Sequence, residues 1–63
     1  MSVQIGSRYI KTGGYWTTWI VTRFTKSGSL VPHAVLVDEV RRDREIMLSV
    51  PALEVTGLYT NVG

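Results

Sequence analysis

The chain has no cysteine and only one histidine, His33. The first absence excludes a disulfide framework and any thiolate metal site, and the second leaves a structural zinc centre short of ligands. Acid is missing from the whole first part: residues 1–37 hold Arg8, Lys11, Arg23 and Lys26 without one aspartate or glutamate. No apolar run approaches the roughly 20 residues that span a bilayer. The opening Met-Ser-Val-Gln-Ile-Gly lacks the basic region and apolar block of a signal peptide, so the expected location is the cytoplasm, with no membrane partner. Internal repeats, linkers and low-complexity tracts are missing too.

What is present is a 63-residue chain, 44% hydrophobic and 19% charged, the composition of a globular domain rather than a disordered segment. The expectation is one domain over residues 1–63. A chain of this size removes only about 60% of its unfolded surface from water, so homo-oligomer formation is one route to added stability.

Between Gly14 and Phe24 the sequence reads Tyr-Trp-Thr-Thr-Trp-Ile-Val-Thr-Arg, β-branched and aromatic residues that suit a pleated, half-buried surface. This is the strongest strand signal. Punctuation divides the rest into four more strands. The first runs from Val3 to Lys11 with Gly6 interrupting it, then a Thr12-Gly13-Gly14 loop leads into the second, Tyr15 to Thr25. After a Lys26-Ser27-Gly28-Ser29 hairpin turn and Pro32, the third runs from about His33 to Val40. Arg41-Arg42-Asp43 turns into the fourth, Arg44 to Val50. Pro51-Ala52-Leu53-Glu54 reads as one helical turn, Gly57 ends it, and Leu58 to Val62 forms the fifth strand.

Four meandering strands, one helical turn and a short last strand describe an all-β, five-stranded antiparallel barrel, and this order resembles the SH3-like barrels over nearly the whole chain. Ile5-Gly6-Ser7-Arg8-Tyr9, Gly13-Gly14, Trp19-Ile20-Val21, Pro32-His33-Ala34-Val35-Leu36 and Leu48-Ser49-Val50-Pro51-Ala52-Leu53 are similar to a group of small, uncharacterised bacterial proteins of that fold. SH3-like barrels host peptide, RNA, DNA and methylated-residue binding as well as structural roles, so the fold alone assigns no activity. A more distant architectural resemblance is to the plasmid-borne type II dihydrofolate reductases, whose start and finish look like Gly6-Ser7-Arg8-Tyr9 and Val50-Pro51-Ala52-Leu53. Their Val-Gln-Ile-Tyr pore motif would fall near Glu45 to Leu48, where this chain reads Glu-Ile-Met-Leu. The resemblance therefore implies a barrel and a tendency to oligomerise, and not the reductase activity.

Period-two alternation puts Trp19 and Val21 on the inner face of one strand, Ala34 and Leu36 on the next, and Ile46 and Leu48 on a third, with Leu53 and Tyr59 capping one end. Phe24 breaks the parity, and its pointing inward requires a bulge near Thr22 or Arg23. Val35, Val37 and Met47 fall on the opposite faces, where apolar groups imply either a sheet curled enough to cover both sides or an interface between copies.

The charge asymmetry, +4 over residues 1–37 against −2 over residues 38–63, places basic residues beside aromatics on the first two strands. If Tyr9, Tyr15 and Trp16 face outward there, the combination contacts phosphates and stacks on bases. The expected function is thus a non-catalytic binding module for DNA or RNA, acting through Arg8, Lys11, Tyr15, Trp16, Arg23 and Lys26. The alternative is a protein or peptide partner on the aromatic platform or on an exposed strand edge. Arg41-Arg42-Asp43-Arg44 reads as a solvated, salt-bridged turn, because Asp38, Glu39 and Glu45 lie close by. No enzyme is expected and no cofactor. His33 has no serine, cysteine or carboxylate at a recognisable spacing, Asp38 and Glu39 are adjacent in a strand and point apart, and only Asp43 and Glu45 could share a face.

Overall fold

The computed structural model describes residues 3–13, 17–25, 31–55 and 57–63. Its elements follow one another as β1 (Arg8–Lys11), β2 (Thr18–Thr25), β3 (His33–Asp38), β4 (Glu45–Ser49), the short helix α1 (Val50–Glu54) and β5 (Tyr59–Asn61). All pairings are antiparallel, in the order β4-β3-β2-β1-β5. The fold is therefore all-β with one short helix, as the sequence implied. Its ladder is not closed: β4 and β5 are the two ends of the sheet, and no strand pair joins them among the described residues. No helix among these residues is long and apolar enough to cross a membrane.

Strand limits differ from the sequence reading where local bonding competes with the ladder. Residues 3–7 do not extend β1, because Gly6 at φ +91 forms a turn in which Ser7 N–H donates to the Gln4 carbonyl at 3.0 Å. β3 stops at Asp38, whose carboxylate draws the Val40 and Arg41 N–H groups into a turn. α1 follows β4 without a loop. Ser49 caps it by accepting from the Ala52 N–H at 3.2 Å, and Pro51 sits in the first turn, where a missing donor costs nothing.

Cross-strand partners share a face, so the register fixes the core. Tyr9 pairs with Trp19, Trp19 with Asp38, Val21 with Leu36, Leu36 with Ile46 and Ala34 with Leu48, all on the inner side. Val3, Tyr9, Trp19, Val21, Ala34, Leu36 and Leu53 are buried together, with Ile46, Leu48, Val50 and Tyr59 packed against them. Tyr9 is thus a core residue, not an outward platform, because β1 directs it to the same side as Trp19. The register shifts between Val21 and Arg23, the bulge that the Phe24 parity demanded. Phe24 consequently pairs with Ala34 on the inner side, yet it lies at the rim and keeps 42% of its surface exposed.

Val35 and Val37 on the outer side are also buried, whereas Met47 is 53% exposed. Arg23 stands beside Val35 on β2, Glu45 stands beside Val37 on β4, and their side chains meet at 3.6 Å across β3. The aliphatic stems of this ion pair roof the two valines. Covering both faces of β3 is therefore done within one chain.

Leu36 is fully buried at the centre of the sheet, so truncating it removes apolar contacts and opens a cavity. Leu36→Ala is expected to cost about 3 kcal/mol, a large part of the roughly 3–9 kcal/mol available to a chain of this length. Phe24→Ala at the exposed rim should cost about 1 kcal/mol. Urea unfolding of both variants checks the ranking.

Candidate ligand groove

In an antiparallel meander the end of one strand lies beside the start of the next. One end of this sheet therefore gathers the last residue of β1, the last of β3, the first of β5 and the residues just before β2 and β4. Lys11, Thr17, Trp19, Arg44, Ile46 and Tyr59 line a concave groove of about 460 Å³ there. Ile46 belongs to one end of the sheet and Tyr59 to the other. The groove is the slot left where the ladder does not close.

Trp19 forms part of its floor and is almost completely buried. The Arg44 guanidinium lies over the indole, 5.7 Å from the ring centroid, a cation–π distance. Arg44 reaches this place because its carbonyl accepts from the Asp38 N–H at 3.0 Å, which continues the β3–β4 register one residue past the strand and turns the side chain inward. Lys11 faces Tyr59 across the β1–β5 pair on the same inner side. Among the described residues no carboxylate pairs with Lys11.

Asp38 anchors the rim of the groove. Its side chain is buried; Oδ1 accepts from the N–H groups of Val40 at 2.9 Å and Arg41 at 3.1 Å, while Oδ2 lies 3.5 Å from Arg44 Nη1. The backbone bond from Arg41, then that from Val40, and then the Arg44 charge hold its carboxyl below the usual aspartate range against the opposing effect of burial. Asp38 thus fixes the turn and holds Arg44 beside Trp19. The Arg41–Arg44 segment is a hydrogen-bonded turn in which Arg44 N–H donates to the Arg41 carbonyl at 2.9 Å and Arg42 Nε to the Glu39 carbonyl at 3.2 Å. Of the three acids expected to neutralise it only Asp38 does so, because Glu39 and Glu45 pair with Arg8 and Arg23.

The residues nominated from sequence separate into three groups. Arg8 and Arg23 share the outer face, and each holds a carboxylate: Arg8 Nη2 lies 2.8 Å from Glu39 Oε1, and Arg23 Nη1 lies 3.6 Å from Glu45 Oε2. Lys11 lies on the opposite, inner side. Tyr15, Trp16 and Lys26 are outside the described residues. Sequence reasoning missed Arg44 as a groove residue, and it treated Trp19 and Tyr59 as core alone. The inward parity shared by Trp19 and Tyr59 was visible, but nothing local to either residue says that the barrel stays open above them.

His33 is half-buried, with Nδ1 2.8 Å from the Val31 carbonyl, an arrangement that fits a structural histidine donating from Nδ1. No group of three His, Asp or Glu side chains able to hold a metal ion occurs among the described residues.

The lowered carboxyl of Asp38 makes an acid-stability prediction. The unfolded chain binds the proton more readily, so the stabilisation is complete above the ordinary aspartate range and is lost as pH falls through the depressed native value. Asp38→Asn should be less stable than the unmodified chain at pH 7, and the gap should narrow steadily below about pH 4. Urea midpoints at pH 7, 4 and 3 measure it.

Compared with protein-family models, with curated proteins and with solved structures, the chain gives no match.

Proposed function

We propose that this chain is a non-catalytic, SH3-like binding module and that its ligand is a single strand of DNA or RNA seated in the groove. The observation that carries the reading is the meeting of two cations, Lys11 and Arg44, with two rings, Trp19 and Tyr59, around one concavity. Phosphates need cations, and unstacked bases need flat apolar faces. Both are supplied at one place.

Geometry favours a single strand over a duplex. The rings lie in a recess rather than on a projecting element, so a base must leave its stack to reach them. Arg44 covers the indole in the free protein, and a base entering the groove takes part of that ring face while the guanidinium turns to a phosphate. Arg8, Arg23 and Arg44 are each engaged by a carboxylate, Glu39, Glu45 and Asp38 in turn, and Lys11 is the groove cation with no such partner among the described residues. The weight therefore moves from the outer wall to the slot.

Two phosphate contacts on a single strand give a salt slope of about −1.4, so affinity should fall about sevenfold between 50 and 200 mM salt. Titration against labelled single-stranded DNA and RNA at those concentrations reads it. Lys11→Glu should weaken binding at least tenfold and flatten the slope. Association that ignores salt and survives Lys11→Glu would point instead to a peptide ligand, and the absence of any binding at the lower salt sinks the nucleic-acid reading.

A further inference from the structure

β4 is an end strand of the sheet, and Glu45 is the one charged residue on its free edge. Over Glu45–Ser49 there is no lysine, no proline and no bulge in the register with β3. The other end, β5, has three residues, two of them threonine and asparagine.

The backbone groups on the β4 edge follow from the ladder. Asp38 N–H donates to the Arg44 carbonyl and Val50 N–H to the Pro32 carbonyl, which makes residues 44, 46, 48 and 50 the hydrogen-bonded partners of β3. Glu45, Met47 and Ser49 accordingly direct their N–H and C=O groups away from β3. The Ser49 carbonyl accepts the first helical bond of α1, whereas the Ser49 N–H and both groups of Glu45 and Met47 have no partner among the described residues.

We propose that two copies of the chain pair through this edge, antiparallel about a twofold axis at Met47. In that register Met47 faces Met47 of the second copy, Glu45 faces its Ser49, and Ile46 faces its Leu48. Four backbone bonds form: Met47 exchanges N–H and C=O with its counterpart, and the Ser49 N–H of each copy donates to the Glu45 carbonyl of the other. Apolar Ile46 meets apolar Leu48 on the inner side, Met47, otherwise 53% exposed, is covered on the outer side, and no like charges oppose each other. Moving the axis to Glu45 would set two carboxylates together, and moving it to Ser49 would drive each strand into α1. The sequence of β4 is self-complementary about its centre, which is what a symmetric edge contact requires.

The chain contains no cysteine, so an introduced one reports unambiguously. With Met47→Cys the two Cα atoms stand about 5.5 Å apart, inside disulfide reach. With Glu45→Cys the two positions are displaced roughly 13 Å along the strands, beyond it. Mild oxidation should therefore link the Met47→Cys chain into dimers and leave the Glu45→Cys chain unlinked. Light scattering of the unmodified chain should show the mass doubling with concentration, and Met47→Lys, which opposes two charges on the axis, should raise the dissociation constant at least tenfold while keeping the unfolding midpoint of the unmodified chain when both are compared at monomeric dilution. A monomeric mass up to millimolar concentration overturns the pairing, as does linkage of Glu45→Cys as readily as Met47→Cys. The test uses no ligand, so it stands or falls separately from the proposed nucleic-acid binding.

Discussion

One sheet has to supply both layers of this fold. A chain of 63 residues is too short for a second sheet or a covering pair of helices, so its apolar side chains leave water only if five strands bend around them. The bulge between Val21 and Arg23 lets β2 take part in that bend, and the inner residues of β1, β2, β3 and β4 then converge on Leu36 and Val21. α1 packs against both β4 and β5, so the ends of the sheet are linked by side chains instead of by backbone bonds. Every other property of the surface follows from a ladder that curls without closing.

The bend also decides where charge remains free. Curling brings Arg23 across β3 to Glu45 and Arg8 to Glu39, and those pairs are engaged on the outer face above valine and isoleucine side chains. Exposed pairs of this kind contribute only about 0–1 kcal/mol each, so their larger effect is to neutralise the outer arginines. A chain whose first part is wholly basic in sequence therefore has an outer face that is balanced in three dimensions. Among the described residues the cations without a carboxylate partner are Lys11 at the slot and Arg41 and Arg42 in the neighbouring β3–β4 turn, while Arg44 shares Asp38 with two backbone N–H groups.

Local pattern made most of the architecture legible. Trp19 and Val21, Ala34 and Leu36, and Ile46 and Leu48 recur at the strand period, and each pair is inward-facing in the structure although the residues between them, Ile20, Val35 and Met47, are apolar too. The bulge was readable from the parity of Phe24, and the helical turn from Pro51. What stayed hidden depends on pairing at long range. Tyr9 turns inward because it lies opposite Trp19 in the β1–β2 ladder, a pairing between residues ten apart. The Arg8–Glu39 pair joins residues 31 apart in sequence, and no window of local residues contains that information. Whether β4 meets β5 is likewise a property of total curvature, which is why the groove residues Arg44 and Tyr59 were read as turn and core.

Closure and openness carry opposite consequences for such a sheet. A ladder closed between β4 and β5 would satisfy every edge group and would also fill the recess above Trp19 with its own backbone. An open ladder keeps the recess and leaves the N–H and C=O groups of Glu45 and Met47 and the N–H of Ser49 seeking partners. Water satisfies them in the isolated chain, at little cost because the edge is exposed. Half-exposed Ile46 and exposed Met47 are different, since water cannot compensate apolar surface, and burial against another apolar strand is favourable by about 25 cal/mol per Å². The edge that an open sheet leaves behind is therefore driven to pair less by its hydrogen bonds than by the side chains that flank them. The same Ile46 that walls the ligand groove supplies part of that drive, so the groove and the edge are two results of one unclosed sheet.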